Sequence, residues 1–168
     1  MRRLGLVVLL TACIFAFGVI SAQAGIIYGI KHPPIGAPAE IYKIDLSTDS
    51  CIITLMATAS GGGVPVASSS YNGNGYDVIN DRYYFSCFDN SPRTLWRIDN
   101  FSTAPSVPVA VGTLTGGISN GSFYEEKYYC VGHNTDDLYV VEFTATGLIE
   151  TKIADITGNT KNLYFGDI

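Results

Sequence analysis

The sequence predicts an all-β fold built from a repeated four-stranded unit, and three observations carry that expectation. The segments "EIYKIDL" (residues 40–46), "TLWRIDN" (94–100) and "DLYVVEF" (137–143) share one pattern: aliphatic, aromatic, variable, aliphatic, acid. Tyr42 and Ile44, Trp96 and Ile98, and Tyr139 and Val141 each fall on one face by the two-residue period of a strand. After residue 24 no stretch shows the 3.6-residue period of a helix, while turn residues punctuate the chain at strand-length intervals.

In chain order, Met1-Arg2-Arg3 comes first, then an uncharged run over residues 4–20 and Ser21-Ala22-Gln23-Ala24. A basic start, an apolar stretch and a small-x-small ending are the parts of a secretory signal peptide. Cleavage is expected after Ala24, giving an exported domain of residues 25–168, secreted, periplasmic or on the surface of a bacterial cell. A second exit is open. Leu10-Thr11-Ala12-Cys13 has the form of a lipobox, which would tie the protein to a membrane through a lipidated Cys13. Against it, residues 14–20 stay apolar where lipoproteins turn polar.

The three patterned segments are the C strands of a unit written A-B-C-D. Aromatic-rich B strands precede them: "GIIYGIK" (25–31), "RYYFSCF" (82–88) and "KYYCVG" (127–132). D strands follow: "CIITLMA" (51–57), "VPVAVGTL" (107–114) and "IETKIADI" (149–156). Short A strands open the second and third units, "GYDVI" (75–79) and "GSFYEE" (121–126), and the closing "NLYFGDI" (162–168) matches them through Gly166-Asp167-Ile168. The order is therefore BCD, ABCD, ABCD, A. Residues 60–75, "SGGGVPVASSSYNGNG", read as a loop, either a flexible lid or an insertion.

The anchors Ile41, Leu95 and Leu138 stand 54 and 43 residues apart. A four-stranded repeat of about 40–50 residues is the signature of a β-propeller blade. The segments "ITGNTKNLYFGDI" and "IYKIDLSTDSCIITL" resemble secreted bacterial propeller repeat proteins of unknown function, whose blades run roughly "GDIAFD…LYG…LYRIDPSTG". They resemble, more distantly, the quinoprotein-like and YVTN-type propellers. Trp-Asp pairs, kelch double glycines in register and the tryptophan docking pattern of quinoprotein alcohol dehydrogenases are missing. The resemblance thus implies a fold and no particular activity.

Counted in a circle the chain holds about three blades, and a closed ring takes roughly four to eight. The chain is then a partial propeller, or half of a six-bladed homodimeric ring closed by exchange of the C-terminal strand. A different all-β arrangement, such as a sandwich, is the remaining choice.

Fifteen Asp and Glu against ten Lys and Arg give a net charge of −5, and loss of Arg2 and Arg3 with the leader makes the chain more acidic. An acidic surface repels phosphate backbones, so nucleic acid is not an expected partner. Cys51, Cys87 and Cys130 remain after cleavage, an odd number with no C-x-x-C pair. They are read as apolar thiols in strands, with no disulfide assigned. Cys87 and Cys130, 43 residues apart, are taken as equivalent.

His32 and His133 each stand four residues after a tyrosine, Tyr28 and Tyr129, and the 43-residue spacing puts Asn90 in the same place in the middle unit. All three are expected on B–C loops, which in a propeller share the ligand face. Imidazoles gathered there suit metal binding or general-base work; exposed loop residues beside turns are the plainer reading. Asp77 and Asp167, on inner A strands, would line the axis and bind a ligand, or instead fix the neighbouring turn. No catalytic residue, metal or cofactor is assigned.

The expected function is a non-enzymatic scaffold binding a ligand or protein on its loop face. The alternative is part of a propeller enzyme, a hydrolase or a quinoprotein-like oxidoreductase, with its site at the axis.

Overall fold

The computed structural model describes residues 25–34, 36–47, 50–66, 71–87, 93–115, 117–133 and 137–155. Cys13 and the leader, Asn90, and the A strand expected at 162–168 lie outside the described residues. Three antiparallel sheets make up the fold, with no helix among the described residues. The first holds β1 (Ile26–Lys31), β2 (Ala39–Asp45) and β3 (Ile52–Ala59). The second holds β4 (Tyr71–Asp77), β5 (Arg82–Cys87), β6 (Arg93–Asp99) and β7 (Val109–Leu114). The third holds β8 (Gly117–Tyr124), β9 (Lys127–His133), β10 (Asp137–Thr144) and β11 (Gly147–Asp155). Within each sheet every strand pairs with its sequence neighbour, so contacts are local and the connections can be short turns.

The sheets stack face to face. Ala39, Ile41 and Ala59 of the first sheet pack with Tyr83, Phe85, Cys87, Trp96 and Ile98 of the second. Tyr84, Leu95 and Leu114, on the other side of the second sheet, pack with Ile118, Tyr128, Cys130 and Val141 of the third. Alternation along β5 and β6 therefore feeds two cores, one on each face, which is why "RYYFSC" is nearly continuous in apolar residues. Rings carry much of the packing: Tyr83 stacks on Phe101 at 4.7 Å, and Tyr84 on Phe143 at 4.9 Å.

The inner strands differ from their sequence reading. β4 starts at Tyr71, within the stretch read as loop, and Val78 and Ile79 fall in the following turn with side chains 75% and 70% exposed. β8 likewise starts at Gly117 and ends before Glu125. The reason is close approach. A Cβ at Gly121 would run into the Tyr128 hydroxyl and the backbone of Gly73, and one at Gly75 would stand 3.1 Å from the Tyr128 ring. The glycines are thus positions of tight contact between β4 and β8, not breaks in structure. Tyr128, fully buried, donates its hydroxyl to the carbonyl of Gly73, and burial raises its pKa well above that of a free phenol. Part of residues 60–66 is also packed: Val64 belongs to the first core, and Tyr71 donates to the Pro65 carbonyl at 3.0 Å.

Strand pairing corrects one spacing. Cys130 stands opposite Tyr139 and Phe85 opposite Trp96, so Cys130 matches Phe85 rather than Cys87. Both thiols are buried, and burial pushes Cys130 up to about 12; Cys51 is exposed.

Replacing Tyr128 with Phe strands the buried Gly73 carbonyl. The expected cost is about 1–3 kcal/mol by urea denaturation, and a neutral result would refute the hydroxyl's role. Glu125 and Glu126 form the β8–β9 turn at φ 46° and 62°. Positive φ at both positions suits Asn-Gly, so Glu125→Asn with Glu126→Gly should add about 1 kcal/mol of stability in thermal melts. An unchanged or lower melting point would contradict that reading of the turn.

Candidate functional site

Among the described residues the first sheet has no counterpart of the strand that β4 and β8 supply to the other two. β5 is flanked by β4 and β6, and β9 by β8 and β10, whereas β1 pairs only with β2. Along β1 runs a groove of about 710 Å³. Its walls are Ile26 to Ile30 and His32 from the first sheet, Tyr71 to Tyr76 and Tyr83 from the second, and Asn120 to Phe123 from the third. The first strands of all three sheets thus meet at one cavity. Four tyrosines, a phenylalanine and three asparagines line it together.

None of the lining residues is Asp, Glu, Lys or Arg. In a chain with 15 acidic side chains this makes the groove a neutral patch in an acidic protein. Tyr28 and Tyr76 form one wall, their ring centres 4.6 Å apart, with Phe101 behind them. The Tyr76 hydroxyl donates to Asp81 Oδ1 at 2.9 Å. Burial first, and then that carboxylate, push its pKa up to about 12, so it holds its proton at neutral pH. Asn74 Oδ1 is buried and accepts no hydrogen bond among the described residues. A buried amide oxygen without a donor is uncommon and suits a ligand O–H or N–H.

The sequence-predicted residues are placed as follows. His32 lies just after β1, exposed, at the groove. Asp77 ends β4, where its carboxylate accepts from the backbone N–H of Ile79 and Asn80, both at 3.1 Å, and from Asn80 Nδ2 at 2.7 Å. That is the geometry of an Asx turn. His133 is the last residue of β9, opposite Gly117, rather than a loop residue. Its side chain, Asn90 and Asp167 lie outside the described residues. By strand pairing Tyr84 matches Tyr28 and Tyr129, so four residues further in the middle unit is Phe88, not Asn90. Of the two whose side chains are described, His32 lies at the groove and Asp77 does not. The acids ending the C strands also differ in their work: Asp45 accepts from the Ser47 N–H, while Asp99 pairs with Arg82 and Arg97.

No group of three or more His, Cys, Asp or Glu among the described residues could hold a metal. Residues 117–121 read G-x-S-x-G, but they lie inside β8, not at the strand-to-helix turn that a nucleophile elbow requires. The groove residues missed by sequence reading are Asn72, Asn74, Tyr76, Asn120 and Ser122. Asn72 and Asn120 stand opposite Ser86 and Val131, which are matching positions of β5 and β9. A signal for them exists. Asn is followed five residues on by an acid three times, at Asn72 and Asp77, Asn120 and Glu125, and Asn162 and Asp167. Comparison with protein families and with curated proteins finds no match, so the site stands on its own geometry.

Proposed function

We propose that this chain is an exported, non-enzymatic scaffold of β-propeller type that binds an uncharged, hydrogen-bonding ligand or protein segment in the groove along β1. The observation that carries the reading is the convergence of first strands from three sheets on a neutral cavity lined by aromatic rings and amides. Consecutive antiparallel strands, sheets stacked face to face and first strands gathered inside support the blade assignment. Rings offer flat apolar faces, and the asparagines offer donors and acceptors. Such a lining holds a ligand through shape and hydrogen bonds, with no charge to attract or repel an ion.

A catalytic reading has one observation in its favour, His32 at the groove. An imidazole there could serve as a general base for a hydrolytic reaction. The binding reading is preferred because the other titratable side chains in the lining are tyrosines.

The test is a thermal-shift screen of the purified domain against neutral oligosaccharides and uncharged peptides, with matched anionic and cationic probes. Neutral probes should raise the melting temperature, the shift should survive added salt, and Asn72→Ala or Tyr76→Ala should cut affinity about tenfold or more, roughly 1.4 kcal/mol. Binding restricted to ionic probes and lost in salt would sink the proposal. Turnover that disappears in His32→Ala would replace it with the enzyme.

A further inference from the structure

Among the described residues no further sheet stacks on the outer face of the first sheet or of the third. Pairing registers identify matching positions. Ile27 stands opposite Ile44, Tyr83 opposite Ile98, and Tyr128 opposite Val141. In the second and third sheets this row faces the preceding sheet and is buried: Tyr83 is 1% exposed, and Ile98, Tyr128 and Val141 are 0%. Among the described residues the first sheet has no preceding sheet. Ile27 is 51% exposed, and Tyr42 and Ile44 beside it are only half-buried.

The outer strand strengthens the point. Ile53 stands opposite Ile44 and Leu55 opposite Tyr42, 64% and 50% exposed. At matching places the third sheet carries Glu150 and Lys152, and the second carries Ala110 opposite Trp96. The first sheet thus presents apolar side chains even where its counterparts meet water with polar or small ones. Ile27, Tyr42, Ile44, Ile53 and Leu55 form one continuous apolar face.

The opposite end of the stack shows the complement. Tyr129, Leu138 and Val140 are half-buried on the outer face of the third sheet, Val131 there is buried, and Ile149, opposite Glu142, is 53% exposed. Tyr129 and Leu138 match Tyr84 and Leu95, which are 1% and 0% exposed where the second sheet packs on the third. Each free face is therefore the partner type of the other, and each continues an interface already present within the chain.

We propose that a second copy of this chain covers the open face of the first sheet with the free face of its own third sheet. The same contact is made in return, so two copies close head to tail. Both contacts are heterologous, and two of them related by a twofold axis leave neither face uncovered. The inference stands on sheet stacking and not on the groove, so its failure leaves the binding proposal untouched.

The experiment is light scattering on a sizing column, over a range of concentrations, with the chain from Gly25 onward, which contains all the described strands. The wild type should run as a dimer. Ile53→Asp with Leu55→Asp alters one face, and Ile149→Asp alters the other; all three side chains are at least half exposed, so the sheets should keep their circular dichroism. Either variant alone should run as a monomer. An equimolar mixture of the two should associate again, because each supplies the face that the other has lost. A monomeric wild type overturns the proposal. So does a dimer kept intact by Ile149→Asp but broken by the first-sheet variant, which would mean like-to-like pairing, or an open series of larger oligomers.

Discussion

The rest of the molecule depends on how closely β4 approaches β8. Tyr128 lies between the two strands, and Gly73, Gly75 and Gly121 leave no side chain where its ring and hydroxyl pass. Any Cβ at Gly121 would push the second and third sheets apart. That would pull Val141 and Cys130 from Tyr84 and Leu95, and it would move Asn120 away from Asn72 across the groove. Core and site are thus set by the same contact. A phenol hydroxyl bound to a backbone carbonyl fixes it in direction as well as distance, which apolar packing alone does not do.

This contact also explains what the sequence showed and what it hid. The strands β2, β6 and β10 were legible because each alternates between two environments, and Ile41, Trp96 or Val141 announces the buried side. β5 and β9 were legible as aromatic runs between turn residues. β4 was only half seen. "YNGNGYD" carries no large side chain at Gly73 and Gly75, because the neighbouring strand supplies the volume that fills those positions. Glycine as a turn signal and glycine as a site of close approach look alike in one sequence, and the choice depends on Tyr128, which lies 55 residues from Gly73. The 43-residue spacing misled in a related way. It holds between Leu95 and Leu138, but B and C strands are joined by segments of different length, so it does not carry Cys87 onto Cys130.

The candidate site was less legible than the fold. Histidines and acids draw attention because they titrate, yet Asp77 is engaged with its own turn. The groove is walled instead by Asn72, Asn74, Asn120 and tyrosines, residue types that are common in turns and on surfaces. Their significance is positional: they recur at one register on first strands that converge. In this acidic chain the groove is lined by no Asp, Glu, Lys or Arg, which is the lining that the proposed recognition of an uncharged ligand calls for.

The thiols set a condition on how this molecule can be made. Cys87 and Cys130 are buried on different strands, Cys51 is exposed, and no disulfide joins them. In the oxidising compartment proposed for the protein, Cys87 and Cys130 are open to oxidant until the sheets have stacked, and Cys51 stays open afterwards. Burial then removes the thiolate at Cys130 and closes the route to exchange. Under the proposed export, maturation is a kinetic race between sheet assembly and mispaired cross-links. Antiparallel neighbours joined by short turns favour the assembly side of that race, because contacts between neighbouring strands form without a long search.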